Sequence, residues 1–292
     1  MIANRNIYLK VEQQEILKQV SKEQARYIIA ASEKSASSWL SALPLKSLGY
    51  ALNKREFRDA VRLRYGNHIP DMPRYCGCGK RNSVDHTLDC KLGGYVHIRH
   101  NAIRDTEAKI MQEVAHDVKI EPNLQSVSPI MKLKKGSNTA DNARLDVSAK
   151  GIFSSHEVTF FDIRITNPNN ASNCEKPLSD IYKKHEQEKM GMYNDRVLQV
   201  EKSSFVPLVY TTSGGMGPQN ETLHKRLANL IAEQRKERFS DVMDHIRTRL
   251  RFALLKSILT AVRGRRGKKM TDHDLSNISF NLIPASDTYE SF

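Results

Sequence analysis

The sequence predicts an α/β fold in which a small mixed sheet is flanked by helices. Three observations carry this. Between residues 99 and 236 the patterning runs helix, strands, helix, strand, helix, the order that layers helices on a sheet. The run 157–165 (EVTFFDIRI) is rich in β-branched and aromatic residues, and the Asn-rich segment 167–173 closes it. The composition, 39% apolar and 27% charged over 292 residues, is that of a globular chain and not of a disordered, collagenous or disulfide-built one.

Residues 1–66 read as a helical segment. Val11, Ile16, Leu17 and Val20 fall on one helix face, and Phe57, Val61 and Tyr65 repeat every four residues within a helix over 52–65. The polar face of that second helix is basic (Lys54, Arg55, Arg58, Arg62, Arg64), which is equally the signature of a plain solvated surface. Residues 67–98 are rich in Pro, Gly and Cys and form a small unit with little regular structure. A helix is expected over 99–118 and strands within 119–165, among them 143–147 and 157–165. A long helix follows over 176–200, then a short apolar strand at 205–210 that Pro207 weakens. The segment 213–218 (SGGMGP) reads as a strand-to-helix turn. It lacks the Gly-Lys-Ser/Thr ending of a nucleotide loop, though one of its N–H groups could face a phosphate. Helices over 222–236 and 241–263 complete the pattern, the last with Leu250, Leu254, Leu255, Ile258, Leu259 and Val262 on one face. The expected units are therefore 1–66, 67–98, 99–236, a basic amphipathic helix in 237–270, and a loose tail over 271–292.

Charge narrows the class of function. Lys and Arg number 46 against 33 Asp and Glu, a formal net charge of +13, with a pI near 9.5. Such a balance favours a polyanionic partner, nucleic acid or an anionic membrane surface. No apolar run approaches the ~18 residues of a membrane span, and the first residues lack the apolar core of a secretory signal. From 235 to 269 there are twelve Lys or Arg and three acids, enough to supply sequence-blind phosphate contacts. Arg263, Arg265 and Arg266 lie in a run (263–269) that could also serve as a nuclear address.

Three of the four cysteines sit in the pattern Cys76-x-Cys78-x7-His86-x3-Cys90. Three thiols and one imidazole suit tetrahedral zinc. The set is complete, so the ion would be structural, holding a glycine-rich loop with few apolar residues of its own. The competing reading is three incidental buried cysteines beside a surface histidine. Cys174 has no neighbouring cysteine and reads as a free thiol.

A second group of residues has the makings of phosphodiester chemistry, which at neutral pH uses hard cations held by carboxylates and a nearby Lys or Arg. Asp146 lies in the first strand run and Asp162 in the second. Asp162 and Arg164, two apart on a strand, share a side. A carboxylate among Phe160, Phe161 and Ile163 needs a ligand or a partner, and a simple ion pair with Arg164 is the alternative. On a helical wheel with Ile103 at zero, Glu107 falls at about +40° and His100 at about +60°, inside the apolar stripe. Glu113, at about −80°, falls off it and is expected to be solvated. Glu107 is thus the carboxylate expected to point at the sheet. Tyr182, Lys189 and Tyr193 share a helix face, so Lys189 could reach a phosphate or be merely solvated.

The order of these motifs resembles the restriction-enzyme-like endonuclease region of site-specific non-LTR retrotransposons, where a CCHC knuckle precedes a PD-(D/E)xK nuclease. The resemblance rests on Cys76, Cys78, His86 and Cys90, then Arg99-His100-Asn101, Asp146, Asp162, and a helix with Lys189 and Tyr193. Segments 39–66, 76–105, 143–149 and 212–218 are similar to such elements as well, so the likeness spans roughly residues 36–265. It implies a PD-(D/E)xK-type core that nicks target DNA. In it Asp146 and Asp162 would hold Mg²⁺ or Mn²⁺, Lys189 would be the catalytic lysine, and Arg99, His100 and Asn101 would lie near DNA. It implies DNA as partner, the element's RNA as a further candidate, and a nuclear location. Two features depart from the pattern: Leu145 stands where Pro usually precedes the first Asp, and the third element reads Asp162-x-Arg164, so either Arg164 or Lys189 supplies the cation. No Tyr/Phe-x-Asp-Asp polymerase motif occurs. Two rival functions stay open: a DNA-binding module that keeps the nuclease fold without cutting, and a remnant that docks on a polymerase through residues 1–66.

Overall fold

The computed structural model describes residues 2–264. Helices α1 (Ile2–Gln19), α2 (Lys22–Ala31), α3 (Ser38–Ser41) and α4 (Lys54–Arg64) come first. Asn53 and Glu56 close a capping box on α4, satisfying the free N–H groups of its first turn. The short α5 (Val84–Asp89) and then α6 (Tyr95–Met111) lead into strands β1 (His116–Ile120), β2 (Val147–Lys150) and β3 (Val158–Thr166). Next comes α7 (Leu178–Lys189), extended by π-helical turns at Met190–Asn194 and Val197–Glu201. The chain then forms β4 (Ser204–Thr211), α8 (Pro218–Arg235) and α9 (Phe239–Arg263). Pro218 opens α8, where its missing N–H has no helical partner to lose.

The four strands form one mixed sheet in the order β1-β2-β3-β4. The first two pairings are antiparallel, and β3–β4 is parallel, made so by the crossover through α7. Asp162 lies beside Pro207 in that register. Pro207 is tolerated because β4 is an edge strand, where a missing donor need not face a neighbour.

The two faces of β3 differ, as its two-residue period requires. Phe161 and Ile163 enter the main core with Ile103 and Met111 of α6, Leu227 of α8 and Leu254 of α9. Phe160 joins a smaller cluster with Leu124, Leu145, Val197 and Phe205. Asp162 and Arg164 belong to the Phe160 side.

Helix α9 is apolar on more than one side. Ile246, Leu250 and Leu254 face the main core, while Phe252, Leu255 and Leu259 meet Trp39, Tyr50 and Ala60 of the N-terminal segment. Tyr50 and Phe252 stack at 4.8 Å. A helix buried around much of its circumference is a core element, so the helix expected within 237–270 serves the fold, while the basic residues 265–270 lie outside the described residues. Two of its arginines have internal partners. Arg249 pairs with Glu113, which also takes Arg235 from the end of α8 at 2.9 Å. Arg263 grips the buried Asp59 with contacts of 2.6 and 2.8 Å and donates to the Pro70 carbonyl at 2.8 Å. Glu113, expected in solvent, is thus a half-buried ion-pair acceptor.

The helix expected to reach residue 118 ends at Met111. Strand β1 begins at His116 and is mostly exposed, so it carries no apolar alternation to announce itself. Residues 121–146 form a long connection held down by the π-helical turns. The fully buried Arg196 donates to the carbonyls of Asn138 and Ala140 at 2.8 Å and of Gln125 at 2.9 Å. These bonds satisfy backbone acceptors that a strandless loop would leave orphaned. No helix among the described residues is long and apolar enough to cross a membrane.

Candidate active site and candidate metal centre

Asp146 and Asp162 do come together. Asp146, one residue before β2, donates its N–H to the Phe161 carbonyl at 3.1 Å. Its Oδ2 accepts from the Ile163 N–H at 2.5 Å. These two bonds lock its carboxylate against the middle of β3. Its Oδ1 meets His100 Nε2 of α6 at 2.8 Å. Asp162 forms an ion pair with Lys189, the last residue of α7. Lys189 Nζ also stands 5.7 Å from the centroid of the Tyr193 ring. Three elements around β3 therefore deliver one acid, one base and one cation to the same place.

The site is partly open. Side-chain exposure is 27% for His100, 16% for Asp146, 17% for Lys189 and 9% for Asp162. Burial raises the pKa of Asp162. Lys189 opposes that shift, the negative charge of Asp146 adds to it, and His100 opposes it again. Two carboxylates close enough to repel are thus balanced by one lysine and one histidine.

Arg164 projects farther out. It lies 3.5 Å from Glu188, which also accepts from His185 Nδ1 at 2.9 Å. The pairing of Asp162 with Arg164 that sequence spacing allows is therefore replaced: Asp162 takes Lys189, and Arg164 takes Glu188. Tyr182 does not flank Lys189 as its spacing suggested. Its hydroxyl contacts Glu33 at 2.8 and 3.0 Å and Thr211 at 3.3 Å.

Glu107 is not part of this site. It is fully buried and accepts from Tyr210 and, at 2.7 Å, from His224 Nε2, which is also fully buried. The wheel was right that a stripe glutamate needs a donor; the donor is a tyrosine–histidine pair and not an ion. Seven helical residues separate His100 from Glu107, about 10 Å along α6. Sharing a face did not mean sharing a site.

Arg99 is buried beneath the cysteine cluster. It donates to the Leu88 carbonyl at 3.0 Å, and burial pulls its pKa down to about 10. It cannot contact DNA from there. Asn101 is half-buried on α6. Arg263 is held by Asp59, and Arg265 and Arg266 lie outside the described residues, as does the tail 271–292.

Cys76, Cys78, His86 and Cys90 converge, with ligand atoms all within 4.8 Å of one another, and could hold a metal ion. Cys76 and Cys90 sulfurs lie 3.8 Å apart, and Cys78 Sγ lies 3.3 Å from His86 Nε2. A tight turn supplies the first pair, closed by the Cys76–Lys80 and Gly79–Cys76 backbone bonds at 2.9 Å. Gly79 sits at φ +85°, where a side chain would strain the backbone. Helix α5 and its C-cap supply the second pair. Among the described residues this is the one such His/Cys/Asp/Glu group; Glu107, Asp146 and Asp162 do not converge in this way.

Sequence reasoning missed the pairing of His100 with Asp146, for which no local signal exists, since 46 residues separate them. It also missed Glu188, although Glu188 lies one residue before Lys189 on the same helix. A scan of the chain against protein-family models finds no match, and a search of curated proteins finds none either.

Proposed function

We propose that this chain is a metal-dependent DNA endonuclease of the PD-(D/E)xK type, related to the restriction-enzyme-like region of non-LTR retrotransposons. One observation carries the reading: Asp146, just before β2, lies close enough to Asp162 of β3 for its charge to raise the Asp162 pKa, and Lys189 from the helix that follows pairs with Asp162. The order of helix, three antiparallel strands, helix and parallel strand agrees with it.

The donor chemistry suits a hard cation. Mg²⁺ is usually held by one or two carboxylates with waters completing its shell, and Asp146 and Asp162 offer two carboxylates whose mutual repulsion a divalent ion would relieve. When bound, the ion would activate water and offset charge on the leaving oxygen. Lys189, freed from Asp162, would neutralise the phosphate or orient the water. His100 orients the Asp146 carboxylate and is itself 27% exposed. Arg164, 42% exposed beside the site, offers a phosphate contact. Zinc is the proposed ion for the cysteine cluster. Zn–S bonds of ~2.3 Å put tetrahedral sulfurs ~3.8 Å apart, the separation found between Cys76 and Cys90. DNA is the proposed substrate and the nucleus the proposed location.

A second reading, a DNA-binding module that does not cut, draws on one observation. The Asp146 and Asp162 carboxylates already have internal partners in His100, the Ile163 N–H and Lys189. Nicking of supercoiled plasmid in Mg²⁺ or Mn²⁺ separates the two. The enzyme reading expects nicking by wild type and a loss of at least ~100-fold in Asp146→Ala and Asp162→Ala. Equal DNA binding by all three proteins with no nicking by any would leave the binding module.

A further inference from the structure

A single exposed apolar side chain is ordinary on a protein surface. Ile130 differs, because the chain is built to hold it out. It is 90% exposed, against at most 71% for any other large apolar side chain among the described residues. It sits at the corner of a tight turn, closed by the Met131 N–H on the Ser128 carbonyl at 2.9 Å. Pro129 precedes it and presets the turn. A second turn follows, closed by the Ser137 N–H on the Lys134 carbonyl at 3.1 Å, with Gly136 at φ +95° in its third position. Around these two corners stand Lys132, Lys134 and Lys135, all exposed. None of the three forms an ion pair among the described residues, and residues 122–140 contain no Asp or Glu.

The base of this arm is tied to the candidate active site. Leu124, Ala143 and Leu145, at its two ends, pack with Phe160 and Tyr193. The Lys134 N–H donates to Asp195 Oδ2 at 2.7 Å, and the Asn138 N–H to the Met192 carbonyl at 2.8 Å. Arg196 holds the carbonyls of Gln125, Asn138 and Ala140. Met192, Asp195 and Arg196 all belong to the helical segment that continues from Lys189. The segment that sets Lys189 therefore also sets the arm, and the arm's return leads directly to Asp146.

We infer that residues 126–137 form a DNA-engaging arm, in which Lys132, Lys134 and Lys135 meet backbone phosphates and Ile130 wedges against a base step. Lysines supply sequence-blind contacts to the phosphates. An apolar side chain inserted at a step unstacks it and kinks the duplex. Turns already fixed in the free protein lose little freedom on binding. The choice of DNA as partner rests on the proposed nuclease reading, but no residue of the arm belongs to the Asp146–Asp162 site.

Fluorescence anisotropy of a labelled duplex with the full chain, read over a range of salt without added Mg²⁺ or Mn²⁺, tests binding apart from cutting. The combined variant Lys132→Gln, Lys134→Gln, Lys135→Gln should lose about two to three from the slope of log affinity against log salt, and at least about tenfold in affinity near physiological salt. On a duplex carrying 2-aminopurine, wild type should raise the fluorescence as bases unstack, and Ile130→Ser should bind without that rise. The substituted side chains are exposed, so melting midpoints within about 2 °C of wild type confirm that the fold is spared. No binding by wild type, a wild-type salt slope in the lysine variant, or a wild-type fluorescence rise in Ile130→Ser overturns the arm. Tighter binding to phosphatidylserine-containing vesicles than to the duplex at the same salt also overturns it, in favour of a membrane surface. A wild type that binds as expected yet nicks no plasmid keeps the arm and removes the nuclease reading.

Discussion

Helix α6 sends two polar side chains into the molecule from one face, and their fates diverge. His100 meets Asp146 at the rim of the sheet, where water can reach both. Glu107, two turns on, meets His224 and Tyr210 in a pocket that water does not reach. Both are acid–histidine pairs at hydrogen-bond distance, 2.8 and 2.7 Å. The pairing chemistry is the same and the access differs. A carboxylate that substrate cannot approach holds the fold together; one at an open rim, beside a second carboxylate and a lysine, can work on a ligand. Burial depth, and not residue type, divides the two.

The comparison predicts opposite responses to mutation, and the largest belongs to the closed pair. Glu107→Ala strands His224 and Tyr210 in the core without an acceptor. It should cost ~3–5 kcal/mol, a fall of about 10 °C in the melting midpoint. A change of less than about 2 °C would mean the pocket is wet, and the contrast between the two sites would break.

Metal removal sharpens the contrast in another way. A strong chelator should lower the melting midpoint by several degrees, because the cysteine loop loses its tie. Adding back Zn²⁺ should restore the midpoint without restoring nicking, and Mg²⁺ should restore nicking without raising the midpoint. If one ion restored both, the knuckle and the acidic site would not be separate centres.

Glu33 stands between the two extremes. Burial raises it from 4.5 to about 7, with Tyr182 opposing the shift. The folded state therefore keeps its proton at pH values where the unfolded chain has lost it. That stability is fully present below about pH 4.5 and is lost as pH rises through about 7. Between pH 4.5 and 8 wild type should lose about 2 kcal/mol relative to Glu33→Gln, read as the difference between their denaturation curves in phosphate-free buffer. Parallel curves would place Glu33 in solvent.

Much of the fold was legible in residues. The run around Phe160 and Phe161 announced β3, the glycine turn announced the passage into α8, and the leucine stripe of 250–262 announced α9. Cys76, Cys78, His86 and Cys90 were legible as one cluster because all four lie within fifteen positions. Depth and distant partners were not legible. A helical wheel gives the direction of Glu107 but not whether a tyrosine or an ion waits for it. A charge count finds Arg249 and Arg263 but not Glu113 and Asp59, which lie 136 and 204 residues away. Strand β1 escaped because both its faces are exposed, and a period of two needs one buried face to be seen.

The central claim is that Asp146 and Asp162 act on a phosphodiester while Glu107 only holds structure. Asp162→Asn tests it most directly, because the neutral amide removes a carboxylate whose charge burial disfavours. The account predicts a melting midpoint at or above wild type together with a loss of at least ~100-fold in metal-dependent plasmid nicking. Nicking retained within about threefold, or a loss of stability as large as that of Glu107→Ala, would contradict it.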